Sequence, residues 1–143
     1  MNSQTLVNSP LEKSFNFFAN AGNLDRITPP WLRFKIITKT PIMMSRGTEI
    51  QYRLKIHRVP VSWTSEIALW EPPVRFVDRQ LAGPFKYWNH LHQLSEDGAG
   101  RTLITDQVEY RVPFGKFAHS IFVGNDLLKI FEFRNQEVEK ILS

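Results

Sequence analysis

Two histidines spaced two apart, His90 and His92, and one aspartate, Asp106, are the residues of this chain best suited to chemistry. The histidines sit in Gly83-Pro84-Phe85-Lys86-Tyr87-Trp88-Asn89-His90-Leu91-His92-Gln93-Leu94, and the aspartate in the stretch Arg101 to Pro113. Both stretches alternate, and the turn formers Ser95 to Gly100 join them, so they read as a β-hairpin. Side chains two apart share a strand face. Trp88, His90, His92 and Leu94 therefore lie together, and Thr102, Ile104, Asp106, Val108 and Tyr110 lie together on the partner strand. With Leu94 opposite Thr102, His90 falls opposite Asp106; a register shifted by two puts His92 there instead. Either way an imidazole meets a carboxylate on a face otherwise built of Trp, Ile, Val and Tyr, where polar groups must be hydrogen-bonded. A carboxylate fixes the tautomer of a neighbouring histidine and raises its basicity, which suits a general base taking a proton from a carbon or hydroxyl acid. The same pair serves equally as a buried pair that fixes strand register, or as a polar contact for a ligand.

The spacing His90-Leu91-His92 also permits two imidazoles on one metal, with Asp106 as a third ligand and Gln80 as a poor fourth. No metal is expected from so small a set. Gln80 shares a face with Phe76 and Asp78; facing inward it can donate and accept toward a ligand. The Gly83-Pro84 that follows leaves its facing open. His57 and His119 read as isolated surface or packing residues. Trp31, Trp63 and Trp70 read as core, and an aromatic lining is also what a flat ligand stacks on. Met43-Met44 offer soft lining at a loop. There is no Gly-x-Ser-x-Gly elbow, no phosphate-cradling glycine loop and no cysteine. That argues against a serine triad, nucleotide cofactors, disulfides and thiolate chemistry, and no cofactor is expected.

The elements that would hold these residues follow from the rest of the pattern. A chain of 143 residues suits a single domain, 1–143, with one core. Nothing approaches an 18-residue apolar run, and Met1-Asn2-Ser3-Gln4-Thr5 lacks a basic-then-apolar leader. A cytoplasmic protein without stable membrane insertion is the simplest expectation. The net charge of +4 comes from scattered residues. Arg53, Lys55 and His57 share an outward strand face, with Lys35 and Lys39 near them in sequence; this reads as a solvated face rather than a nucleic-acid patch.

Gln4 to Val7 predicts a short edge strand. Ser9 as cap, Pro10 at the first helical position and Glu12 at capping-box spacing predict a helix start, with Leu11, Phe15 and Phe18 as its apolar stripe. A second short helix is expected from Asn23 to Ile27, ended by Pro29-Pro30. Strands are expected at Arg33 to Thr38, Gly47 to Val59, Val61 to Trp70 and Val74 to Leu81, before the hairpin. In the second, Ile50, Tyr52, Leu54 and Ile56 share a face; in the third, Trp63, Ser65, Ile67 and Leu69 do. From Lys116 to Leu142 the period turns helical, with Phe117, Ile121, Leu128, Phe131, Val138 and Leu142 near one stripe. Helices segregated from a consecutive run of strands argue for an α+β fold with an antiparallel sheet, curled around the long C-terminal helix.

This order resembles the helix-grip fold of the START/Bet v 1-like (SRPBCC) superfamily, and within it the polyketide cyclase/dehydrase-like ligand-binding proteins. The residues that carry the resemblance are Asn8-Ser9-Pro10-Leu11-Glu12 with Phe15 to Phe18, Asn23-Leu24 to Ile27-Thr28-Pro29-Pro30, Pro60-Val61-Ser62-Trp63, Glu71-Pro72-Pro73, Phe76 to Gln80 with Gly83-Pro84, Trp88 to His92, and Asp106 to Tyr110 with Pro113-Phe114-Gly115. The resemblance implies a deep cavity between sheet and long helix that takes an apolar or aromatic small molecule or lipid. It carries no catalytic motif, because one fold hosts many functions. Strand faces then put Trp63, Gln80, Trp88, His90, His92, Asp106 and Tyr110 around the ligand. The leading expectation is a binder of a hydrophobic small molecule, and the alternative is a cyclase or dehydratase using His90 and Asp106.

Overall fold

The computed structural model describes residues 1–113 and 124–143. Seven strands form one antiparallel sheet: β1 (Asn2–Val7), β2 (Lys35–Ile36), β3 (Glu49–Ile56), β4 (Val59–Glu71), β5 (Arg75–Ala82), β6 (Tyr87–Glu96) and β7 (Thr102–Arg111). The order across the sheet is β1-β7-β6-β5-β4-β3-β2, so β2 to β7 run as a meander and β1 closes the far edge against β7. Helix α1 (Leu11–Ala19) and two short 3-10 helices, Ala21–Ile27 and Pro30–Leu32, precede β2. The long helix α2 (Gly124–Leu142) ends the chain. At about 1.5 Å per residue its 19 residues reach about 28 Å, enough to lie across the sheet. The positions Lys116, Phe117, His119 and Ile121 of the expected helix lie outside the described residues.

Alternation fixes which side chains face inward. Ile50 is buried, while Glu49, Gln51, Arg53 and Lys55 are exposed. The β3–β4 hairpin turns on His57 and Arg58, which both have positive φ, at 50° and 69°. Such a two-residue turn matches the twist of the flanking strands and ordinarily selects Asn or Gly. In β4 the face shared by Trp63, Ser65 and Ile67 does not extend to Leu69. A bulge between Ile67 and Leu69 shifts the register and hands the core position to Trp70, whose ring packs on Phe15 and Phe76.

Two buried clusters hold α2 to the sheet. Val138 and Leu142 pack with Phe15, Phe18, Ile67, Phe76, Leu94 and Ile104. Leu127 and Phe131 pack with Trp63, Trp88 and Val108. The buried stripe of α2 is thus Leu127, Phe131, Arg134, Val138 and Leu142. Leu128, expected on it, is 62% exposed; one residue of phase, 100° around the helix, separates it from Leu127. Ser9 does not cap α1, whose N-cap is Pro10 without a side-chain bond. Instead the Ser9 carbonyl accepts from the Ser14 and Thr102 hydroxyls. Pro29-Pro30 opens the 3-10 helix Pro30–Leu32 rather than ending structure.

Candidate functional site

The β6–β7 register is the one shifted by two: His92 faces Asp106, His90 faces Val108 and Leu94 faces Ile104. The bond to Asp106 nevertheless comes from His90, whose Nε2 donates diagonally to Oδ1 at 2.7 Å. On the other side, β5 places Asp78 opposite His90. Asp78 Oδ2 accepts at 2.6 Å from Nε2 of His92, again a diagonal contact. Each histidine therefore bonds the carboxylate that it does not directly face. The two rings stack at 3.6 Å and 24°, and Phe76 stacks on His92 at 4.1 Å and 10°.

Arg134 of α2 completes the cluster. Its Nη2 donates to His92 Nδ1 at 3.2 Å and to Asp106 Oδ1 at 3.3 Å. Its guanidinium also lies over the rings of Phe18 and Phe131, at 5.2 and 5.9 Å. Arginine only donates and a carboxylate only accepts. His92 must then accept at Nδ1 and carry its proton on Nε2, the neutral form. Burial pushes the His92 imidazole down to about 4, helped by the neighbouring His90 ring and opposed by the Asp78 bond. Burial by itself would raise both carboxyls. For Asp106 the Arg134 guanidinium and the His90 bond outweigh it, and for Asp78 the His92 bond does, so both groups are held below the ordinary carboxylate value.

The cluster lies at a cavity of about 790 Å³ between the sheet and α2. Asp78, His90, His92 and Arg134 reach its wall, as do Trp63 and Trp88. The rest is largely apolar, with Tyr52, Phe85, Phe131 and Met44 among the lining residues. Tyr52 Oη and Trp63 Nε1 both bond Ser65 Oγ, at 3.2 and 3.0 Å. Burial, with the Asp78 charge, raises the Tyr52 phenol, so it stays a neutral hydroxyl.

Three expected contacts fall elsewhere. Asp106 is 1% exposed and stands behind His90 rather than on the wall. Gln80 is not on the wall either: its amide donates to the Phe85 carbonyl at 2.7 Å and accepts from the Phe85 N–H at 3.1 Å, clasping the β5–β6 turn. Tyr110 packs beside Phe85 and Trp88, outside the lining. Of the loop methionines only Met44 lines the cavity; Met43 is 88% exposed. Trp31, expected in the core, is half exposed at the cavity edge and packs on Phe133. His57 is not isolated: its Nε2 lies within hydrogen-bond distance of Asp126 Oδ2, at 2.6 Å, at the start of α2.

Asp78 and Arg134 belong to the site although neither stood among the residues expected to line it. The signal for Arg134 was a cation at an apolar-stripe position, seven residues after Leu127. Asp78, His90 and His92 present possible metal-ligating atoms within 4.8 Å of one another, with Asp78 in the place expected for Asp106. Their arrangement suits a proton network better than a metal. A lone pair lies in its ring plane, and an ion shared by two stacked rings would sit out of at least one plane. Arg134 Nη2 adds a fixed positive charge beside the site.

No curated protein sequence matches this chain. Among solved structures, it superimposes on a nucleoside-diphosphate sugar epimerase from Corynebacterium glutamicum with TM-score 0.70 and 22% identity, covering 98% of this chain. It spans only 28% of that epimerase. It matches the ginseng major latex-like protein from Panax ginseng with TM-score 0.72 and 14% identity, over 100% of this chain and 96% of that one. A START superfamily protein from Mycobacterium smegmatis matches with TM-score 0.71 and 12% identity, over 99% and 97%. At these identities the likeness establishes the fold: a curved antiparallel sheet gripping a C-terminal helix. Among the described residues no helix is long and apolar enough to cross a membrane. A family model described as polyketide cyclase/dehydrase and lipid transport matches residues 7–131, and the chain belongs to that family.

Proposed function

We propose that the protein binds a hydrophobic or aromatic small molecule in the cavity between sheet and α2, with residues 1–143 acting as one unit. The observation that carries this reading is the cavity itself. Natural cores leave few voids larger than a water molecule, whereas 790 Å³ falls inside the roughly 300–1,000 Å³ range of ligand pockets. Rings of Tyr52, Trp63, Phe85, Trp88 and Phe131 on its wall suit a flat apolar body. Asp78, His90, His92 and Arg134 concentrate hydrogen-bonding capacity in one place, which suits a ligand with a polar end. Native mass spectrometry of freshly purified protein, followed by thermal-shift screening of aromatic and fatty compounds, tests the reading. A ligand at 100 times its dissociation constant adds about 2.7 kcal/mol of stability. Finding no adduct and no stabilising compound would count against it.

One observation favours a second reading, that of a cyclase or dehydratase. Asp106 holds His90 through Nε2, and Nδ1 stands 3.7 Å from Asp78, beyond hydrogen-bond distance. That is the arrangement of a base with its orienter. Asp106→Asn separates the two readings. A binder changes affinity or preference; an enzyme keeps binding and loses about 10²–10⁴ in turnover. Recovering every ligand chemically unchanged supports the binder.

A further inference from the structure

The polar cluster at the cavity does not balance its own charge. Arg134 is paired with Asp106, its Nη2 at 3.3 Å from Oδ1. Asp78 has no Lys or Arg within ion-pair distance among the described residues; its partners are the imidazoles of His90 and His92. His92 is neutral, as its contacts with Arg134 and Asp78 require. With His90 neutral as well, two carboxylates stand against one guanidinium, a sum of −1. Asp78 is nevertheless ionised. Burial works to raise its carboxyl, but the His92 bond and the nearby His90 hold it below the ordinary carboxylate value. Its charge also reaches the Tyr52 phenol, which burial and Asp78 together push up.

Buried charges are normally paired or bound to a metal. Asp78 instead stands on the wall of an apolar cavity, its side chain 20% exposed. Among the described residues it accepts one hydrogen bond, from His92 Nε2 at 2.6 Å. A carboxylate has about four lone-pair sites, so acceptor capacity is left over. A second acceptor lies beside it. His90 donates from Nε2 to Asp106, which leaves a lone pair on Nδ1 of the neutral ring. No donor among the described residues bonds that atom, and Asp78 Oδ2, 3.7 Å away, is itself an acceptor. Two unfilled acceptors at this separation suit one group with two N–H donors, seated about 2.9 Å from each. A hydroxyl has one proton and fills only one of them. Aromatic rings flank the pair: Phe131 and Trp88 lie 5.5 and 6.3 Å from the His90 ring. Ring faces attract a cation.

We propose that the polar end of the ligand is a protonated primary or secondary amine. Asp78 pairs with its charge, His90 Nδ1 accepts a second N–H, and the aromatic wall holds the apolar body. This rests on the ligand-binding reading above and narrows it to one chemical class. A carboxylate in the same place would stand against the Asp78 charge, and the guanidinium that would compensate it is already paired with Asp106.

Isothermal titration at pH 7 with three probes on one naphthalene body tests the proposal: 2-naphthylmethanol, 2-naphthylmethylamine and 2-naphthoate. The alcohol reports the cavity without a ligand charge. The amine should bind about 10- to 100-fold more tightly than the alcohol, the contribution of a hydrogen bond to a charged group. The carboxylate should bind most weakly. Asp78→Asn keeps an oxygen for His92 Nε2 and removes the charge. It should abolish the preference for amine over alcohol and leave the affinity for the alcohol nearly unchanged. The wild-type series needs no variant, so it decides the matter even where Asp78→Asn does not fold. Binding of the alcohol with no gain from the amine, tightest binding of the carboxylate, or an undiminished amine preference in folded Asp78→Asn would overturn the amine assignment alone. Failure of all three probes to bind would overturn it together with the ligand-binding reading.

Discussion

Lowering the pH should take stability from this fold through one side chain, His92. Its imidazole is pushed down to about 4 from 6.5 by burial, and its ring is 4% exposed. The unfolded chain therefore binds a proton between pH 6.5 and 4 that the folded chain refuses. Stability rises with pH wherever the unfolded state binds more protons. The contribution is thus complete above pH 6.5 and is lost progressively as the pH falls toward 4. At about 1.4 kcal/mol per pH unit, the interval corresponds to about 3 kcal/mol. The perturbation is His92→Gln, whose amide offers one donor toward Asp78 and one acceptor toward Arg134 and does not titrate. The assay is urea unfolding of both proteins in steps from pH 7 to 4.5. Most of the loss should be present in wild type and absent from the variant. Other groups are common to both proteins and largely cancel in the difference. Two equal slopes, or a flat wild-type curve, would refute the neutral His92 derived from the Arg134 and Asp78 contacts.

The remaining predictions use the same assay at pH 7 unless stated. Below pH 4 both proteins should lose stability again, because Asp78 and Asp106 are held below the ordinary carboxylate value and that stabilisation disappears as they protonate. Arg134→Met leaves Asp106 without its guanidinium and should cost about 3–5 kcal/mol, the usual effect of breaking a buried ion pair from one side. Leu127→Ala should cost about 2 kcal/mol, since Leu127 is 5% exposed, while Leu128→Ala on the solvated face should stay within about 0.5 kcal/mol. Gln80→Ala removes both bonds to Phe85 and should cost about 1–2 kcal/mol.

Much of this molecule was legible because strand alternation is a local signal. The inward set Ile50, Tyr52, Leu54 and Ile56 needed only a period of two, and all four line the cavity. What failed was long-range or geometric. Leu69 lost its place to Trp70 through a bulge, and no residue in that stretch announces it. The hairpin offered two registers, and pairing alone did not reveal that each histidine reaches past the residue it faces. Gln80 was ambiguous because the bend at Gly83-Pro84 decides where its amide points. Arg134 came from another element, and a single cation on an apolar stripe carries little weight until its partners, Asp106 and His92, are known. Trp31 reads as core by residue type, yet it edges the cavity mouth, a position that depends on the whole fold.

The most direct test of a hydrophobic ligand site is titration with the apolar fluorophore 1-aminoanthracene, in wild type and in Leu54→Trp. Leu54 lines the cavity, so the larger indole should fill part of it. Saturable binding at one probe per chain with blue-shifted emission is expected, and at least tenfold weaker binding in a Leu54→Trp protein that melts cooperatively. Absence of saturable binding in wild type, or equal binding in the two proteins, would contradict it.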